Sequence, residues 1–238
     1  MPKFDAILFD KDGTLFDFHK TWGHWSRSFL IDIAGGDMDA ARRMARAVDF
    51  DLDAVRYKEN SILVAATPHE IAEVLLPYLP EASLAALVCR MNALSADVEQ
   101  QQATPLTPLF AELLARDLRI GVVTNDCEMP ARSHLAASGV LHLLDTVIGC
   151  DSGFAAKPAP DMLLAFAETA MIEPAAVAVV GDSPHDMIAA RAAGMTPVGV
   201  LTGMATRGQL TGLADIILPS IAGLPRWLDS LRLPETAA

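Results

Sequence analysis

Three things are scarce in this 238-residue chain: cysteine, cationic side chains and long uninterrupted apolar runs. Its three cysteines, Cys89, Cys127 and Cys150, are odd in number and scattered. That argues against a disulfide framework or a zinc site and suits a reducing cytoplasm. Eighteen Lys and Arg against thirty Asp and Glu leave a formal net charge of −12, with pI ≈ 4.8. Such a balance disfavours nucleic acid or an anionic membrane as partner, and means that an anionic substrate needs a local cation. Hydrophobic residues make up 52% and mean hydropathy is +0.31, yet no apolar run is long enough to span a bilayer. Met1-Pro2-Lys3-Phe4-Asp5 leads straight into a strand-like stretch with no signal-peptide pattern, so a cytoplasmic location is expected. There is no internal repeat or low-complexity tract. The length allows one large domain or two modest ones.

What is present is organised around Phe4-Asp5-Ala6-Ile7-Leu8-Phe9-Asp10-Lys11-Asp12-Gly13-Thr14-Leu15. An apolar, β-favouring run reads as a buried parallel strand. It breaks into two aspartates one residue apart, and Gly13 permits a sharp turn. Alternate residues of an extended chain point the same way, so Asp10 and Asp12 would lean together beyond the strand's carboxyl end, where open α/β sheets bind ligands. Lys11, between them, should point away. Two carboxylates so placed repel unless a cation or a shared proton offsets the charge. A plain surface turn is the alternative, since Asp and Gly are ordinary turn formers.

From about residue 21 to 98 the pattern is helical: 21–34 ending at Gly35-Gly36, then 37–48, a helix to about 78 opened by the capping box Thr67-Pro68-His69-Glu70, and another from Pro80-Glu81 to about 98. Past Ala103-Thr104-Pro105 strand and helix alternate. Strands are expected at 118–124, 146–150, 177–181, 197–201 and 214–218, with helices at 130–138, 160–169, 186–193 and 224–231. The alternation implies an α/β fold, a Rossmann-like parallel-sheet core interrupted by an inserted all-helical cap domain. The core would comprise 1–16 and 103–238, and the cap 17–102.

Chemistry-bearing residues sit at or after the carboxyl ends of the first four core strands. The first ends in Asp10 and Asp12 and the second in Thr124-Asn125; Lys157-Pro158 follows the third, and the fourth ends in Gly181-Asp182-Ser183-Pro184-His185-Asp186. Four carboxylates suit a hard octahedral cation such as Mg²⁺, which keeps waters and a phosphate. A hydroxyl, an amide and an ammonium suit the remaining phosphate oxygens. The inference is phosphoryl transfer.

These motifs, in this order, resemble the haloacid dehalogenase superfamily, and the helical insert between the first two resembles its phosphoglycolate phosphatase-like branch with a C1-type cap. The resemblance extends nearly through Asp215. It implies Asp10 as the nucleophile that forms an aspartyl-phosphate, and Asp12 as general acid and then base, its backbone carbonyl also a metal ligand. It further implies phosphate oxygens held by Thr124, Asn125 and nearby amides, charge neutralised by Lys157, and Mg²⁺ bound by Asp10, Asp12, Asp182 and Asp186. The substrate would be a small phosphorylated metabolite, phosphoglycolate by default, and the protein a monomer or homodimer.

Several residues carry plainer readings. Asp182 and Asp186 suit a helix cap, Lys157 a solvated loop, and Thr124-Asn125 a turn. Asp17 would order its loop. His19, Trp22, His24 and Trp25 are expected to pack the first lid helix, with a hinge or lid-facing role as the alternative, and Cys127 to be a bystander. Two departures from the branch pattern, Phe18 and Asp126, bear on substrate. A metal-free dehalogenase is disfavoured by Asp12. A phosphosugar mutase of the β-phosphoglucomutase type shares the core motifs, with Thr14 favouring hydrolysis, and a non-catalytic binding protein would have lost a charged member of the set. Arg27, Arg56, Lys58, Asn60 and Ser61 are polar lid candidates to meet the leaving group.

Overall fold

The computed structural model describes residues 4–59 and 61–231. Its first strand, β1 (Ala6–Phe9), is buried on both faces. Ile7 and Phe9 join one apolar cluster, with Val122, Val180 and Phe110, while Ala6 and Leu8 join another, with Phe166, Val123 and Val179. This two-sided burial makes the strand apolar throughout, and is what a central parallel strand requires.

The chain then leaves the sheet. Asp17 caps α1 (Phe18–Ile33) and Asp37 caps α2 (Met38–Ala47). Two short strands, β2 (Phe50–Asp51) and β3 (Arg56–Tyr57), pair antiparallel. The expectation of an all-helical insert is corrected there: Asp49 and Val55 adopt positive φ and turn the chain at both ends of the ribbon, which helix periodicity does not reveal. Next come α3 (Pro68–Leu75), with the expected Thr67–Glu70 capping box, and α4 (Leu84–Ala96). The last starts at Ser83, whose hydroxyl accepts from the Ala86 N–H, rather than at Pro80. Phe29, Leu30, Met44, Phe50, Tyr57 and Leu75 gather in an apolar cluster belonging to this insert. Entry and exit lie side by side, with the Asp17 N–H donating to Gln101 O at 2.7 Å and Phe16 bridging Gln102.

Two helices lie outside those the sequence pattern predicts, α5 (Leu106–Leu114) and the four-residue α9 (Arg207–Leu210). The buried positions 106, 109, 110 and 113 of α5 have helical spacing, but its N-cap Pro105 offers no capping side chain; Gln102 Oε1, from farther back, accepts the Leu106 N–H at 3.0 Å. There follow β4 (Arg119–Val123), α6 (Glu128–Ala137), β5 (Thr146–Ile148), α7 (Asp161–Ala170), β6 (Val177–Gly181), α8 (Pro184–Ala192), β7 (Thr196–Val200), α9 (Arg207–Leu210), β8 (Ile216–Leu218) and α10 (Leu224–Ser230). The sheet has six parallel strands in the order β5-β4-β1-β6-β7-β8, as a Rossmann-like core predicts. Phe9 is in register with Val122 on one side and Val180 on the other, so the residues just past these strands converge. The chain order reverses direction about β1, and a crevice opens there. Among the described residues no helix is long and apolar enough to cross a membrane.

Candidate active site

Three carboxylates stand at the mouth of that crevice. Asp10, Asp182 and Asp186 are buried, and each offers an oxygen within 4.8 Å of the others. The Lys157 ammonium lies among them, 2.6 Å from Asp10 Oδ1, 2.6 Å from Asp186 Oδ1 and donating to Val123 O at 3.0 Å, which uses all its N–H donors. Burial pushes the Asp10 carboxyl up to about 7, with Lys157 opposing and Asp186 reinforcing the shift. Burial, then the charges of Asp10 and Asp186, raise Asp182 well above the usual carboxylate range. Against its own desolvation, Lys157 is held more firmly protonated by Asp10 and Asp186. One ammonium among three crowded carboxylates leaves the group short of positive charge.

Backbone shape makes the crowding possible. Gly13 has φ +85°, and a Cβ there would stand 2.5 Å from the Asp182 carboxyl carbon, while one on Gly203 would stand 1.6 Å from Asp182 Oδ2. Only glycine leaves Asp182 its cradle. Asp186 also closes a capping box at the start of α8, taking the Ser183 N–H at 3.0 Å and the Ser183 hydroxyl at 2.6 Å. The plain capping role and membership of the acidic cluster are both satisfied by this one side chain.

The haloacid dehalogenase-like hydrolase family matches over residues 4–194, most of the chain. The chain belongs to this family. A phosphoglycolate phosphatase of Rhodospirillum rubrum is 31% identical over 237 residues, spanning 96% of this chain and 91% of its own. Among solved structures, a predicted phosphoglycolate phosphatase from Haemophilus somnus superposes with TM-score 0.73 at 19% identity, covering 95% of this chain and 99% of that one. A Thermotoga maritima structure given the provisional name β-phosphoglucomutase superposes with TM-score 0.66 at 18% identity, covering 96% and 100%. At such identities the two structures speak to fold alone.

Within this family member, the second aspartate is set apart from the acidic cluster. Asp12 Oδ1 accepts from Trp22 Nε1–H at 2.7 Å, and Oδ2 lies 2.6 Å from Lys11 Nζ. Lys11 therefore does not simply point away, as strand alternation suggested. It is fully buried, 3.3 Å from Asp126 Oδ2 and 3.2 Å from His134 Nδ1. His134 Nε2 is 2.7 Å from Ser95 O, so it donates there and its Nδ1 accepts from Lys11. Burial and the Lys11 charge lower His134 to about 4, keeping it neutral. A buried lysine needs acids, and the chain supplies Asp12 and Asp126. The signal in the sequence was Asp126, a departure from the branch pattern that the structure pairs with Lys11.

Thr124 lines the cavity, and its Oγ1 accepts from the Asp126 N–H at 3.1 Å, which leaves the hydroxyl proton free to donate. Asn125 is corrected as a direct phosphate donor. Its Nδ2 donates to Ala65 O and Lys157 O, each at 2.9 Å, and its Oδ1 accepts from the Lys157 N–H at 2.9 Å. The amide is consumed in fixing the Lys157 segment and in tying it to the insert. Asp17 orders its loop as expected, accepting from the Lys20 N–H at 3.1 Å.

Above the acids the insert overhangs a cavity of about 120 Å³. Trp22, Trp25 and Phe18 line it, so the tryptophans face the site rather than only packing the helix, whereas His19 and His24 are exposed. The polar lid candidates are also corrected. Arg27 Nε donates to Leu52 O, Ser61 Oγ donates to Val48 O, and Arg56 and Lys58 are exposed; none of the four lines the cavity. Asn60 lies outside the described residues. Cys127 is not scattered from Cys150 in space: its Sγ lies 3.8 Å from Cys150 Sγ and takes a hydrogen bond from Asn92, off the cavity wall.

Proposed function

We propose that this chain is a Mg²⁺-dependent phosphatase that hydrolyses a small phosphomonoester through an aspartyl-phosphate on Asp10. The observation that carries the reading is Lys157 holding Asp10 and Asp186 at 2.6 Å beside Asp182, on the floor of a cavity that the insert overhangs. The cluster fits a divalent cation, since its carboxylates outnumber the cation between them and glycines clear the space around Asp182. Asp10, Asp182 and Asp186, with the Asp12 backbone carbonyl, would hold it, and when bound it supplies charge neutralisation for the phosphoryl oxygens.

The protein's own groups do the rest. The Thr124 hydroxyl, whose proton is free, orients the phosphoryl group over Asp10, while Lys157 holds the Asp10 carboxylate in place and offsets the charge that gathers there. Asp10 attacks phosphorus, the bond from phosphorus to the alcohol oxygen breaks, and that oxygen takes a proton from Asp12. Asp12 then takes a proton from water, the water oxygen attacks phosphorus, and the bond to Asp10 breaks to release inorganic phosphate. Trp22 and Lys11 hold the two oxygens of Asp12, setting its reach. Asn125 positions Lys157. Residues 17–102 act as a cap over this floor, moving about the neighbouring crossings at Asp17 and Gln101 and shutting out water on closure. The name of the Rhodospirillum relative makes 2-phosphoglycolate the reference substrate.

Brief reaction with ³²P-labelled substrate and quenching in acid tests this. The expected result is a Mg²⁺-dependent protein label that hydroxylamine removes and that Asp10→Asn lacks. Steady conversion of a sugar 1-phosphate to its 6-phosphate without phosphate release would instead make the enzyme a mutase.

A further inference from the structure

The wall of the cavity facing the acids has an unusual chemistry for an enzyme whose reference substrate carries a carboxylate. Phe18, Trp25, Phe29, Leu63, Ile71 and Met91 supply most of it. Among the described residues lining the cavity, the basic side chains are Lys157 and His185, and both belong to the floor. All the donors of Lys157 are taken by Asp10, Asp186 and Val123 O. The polar groups of the roof are neutral and mostly occupied: Ser26 pairs with the Tyr57 hydroxyl at 2.8 Å, and Ser95 Oγ donates to Asn92 O at 3.1 Å. Asn92 Oδ1 is buried without a hydrogen-bond partner, an acceptor that repels a carboxylate.

We propose that the substrate's alcohol portion is uncharged and largely apolar, an aryl or branched alkyl group with at most one hydrogen-bond donor, and that this roof is its subsite. The inference rests on the phosphatase reading and sharpens its substrate class away from 2-phosphoglycolate. A second anionic group placed there would lose its hydration with no cation to replace it, in a chain already strongly acidic. An aromatic or aliphatic group instead gains burial against the ring faces of Trp25 and Phe29, which stack with centroids 5.1 Å apart. Phe18, at the position where the sequence departs from its branch, is part of this wall. The Asn92 acceptor suits a single hydroxyl on the ligand.

The test compares kcat/KM with Mg²⁺ for phenethyl phosphate, isoamyl phosphate, 2-phosphoglycolate and the activated ester p-nitrophenyl phosphate. The apolar esters are expected to exceed 2-phosphoglycolate by about 30-fold or more. Leu63→Lys, which places a cation on the roof, is expected to shift that ratio by about 10-fold toward 2-phosphoglycolate. Equal or better turnover of 2-phosphoglycolate by the unaltered enzyme overturns the inference and leaves the phosphatase intact. So does hydrolysis of p-nitrophenyl phosphate alone. No Mg²⁺-dependent phosphate release from any of the four overturns the phosphatase reading, and the subsite with it.

Discussion

The floor of the cavity is built from residues that stand just beyond strand ends: Asp10 after β1, Thr124 after β4, Asp182 after β6. The roof is assembled from helix faces and loops that lie far apart in the chain, Phe18 and Phe29 on α1, Leu63 between elements, Ile71 on α3 and Met91 on α4. The floor is charged and nearly dry, with Asp186 1% and Lys157 6% exposed, so every charge needs a named partner. The roof is apolar and needs only shape and area. A parallel sheet fixes where its strand ends point, and a catalytic set can be held there rigidly. Packed helices offer a surface that changes with any side chain, which is where selectivity between substrates can vary without disturbing the chemistry.

That contrast is open to being broken. The largest effect belongs to Asp10→Asn: kcat should fall by roughly 10⁴-fold or more while circular dichroism and the melting temperature hold, because the amide oxygen still accepts from Lys157. A variant that keeps near-normal turnover would remove the nucleophile from the floor. Lys157→Met comes next. It leaves Asp10 and Asp186 buried without their cation, and unfolding in urea should reveal a loss of about 3–5 kcal/mol together with loss of activity. Unchanged stability would mean the acids are solvated rather than paired.

A smaller effect sharpens the boundary between floor and roof. Lys11→Met releases Asp12 from below, and kcat is expected to drop about 10- to 100-fold with KM nearly constant. In a double-mutant cycle with Asp126→Asn, the coupling should be about 1–3 kcal/mol, since both acids share the one lysine. Additive effects would show that Lys11 and Asp126 are independent.

The smallest effect is a pH dependence. Folded Asp10 keeps its proton up to about 7, against an ordinary value of 3.8, so between these limits the folded state binds the extra proton. The contribution of Asp10 to the stability of the metal-free protein therefore falls as pH rises through that window, and the penalty is complete above it. A cation competes with that proton. The rise in melting temperature caused by Mg²⁺ should accordingly grow from pH 5 to pH 8, and a rise independent of pH would separate Asp10 from the metal.

How much of this was legible follows the same division. Asp10, Asp182, Asp186 and Lys157 were readable because an apolar run followed by polar residues marks a strand end, and strand ends converge in a doubly wound sheet. Asn125 was placed correctly but given the wrong partner: nothing in a Thr-Asn pair says that the amide will be used up by the Lys157 backbone and Ala65 O. Trp22 was read as packing because its spacing is that of a helix face, and the hydrogen bond to Asp12 depends on how α1 leans over the sheet. Arg27 and Arg56 looked suited to the ligand by their charge, yet the insert turns them elsewhere. Helix α5 and the β2–β3 ribbon escaped for local reasons, a cap supplied by Gln102 from outside the usual N-cap position and turns made with residues at positive φ.

By itself the sequence determined the parallel sheet, the order of its chemistry-bearing ends and the family, because periodicity and short-range motifs are properties of neighbouring residues. Tertiary structure alone decided that Lys11 grips Asp12, that Asn125 serves Lys157, and that the space above the acids is walled by aromatic and aliphatic side chains. Those outcomes depend on the angle at which a helical insert meets a sheet, set by packing summed over many distant residues rather than by any one stretch of chain.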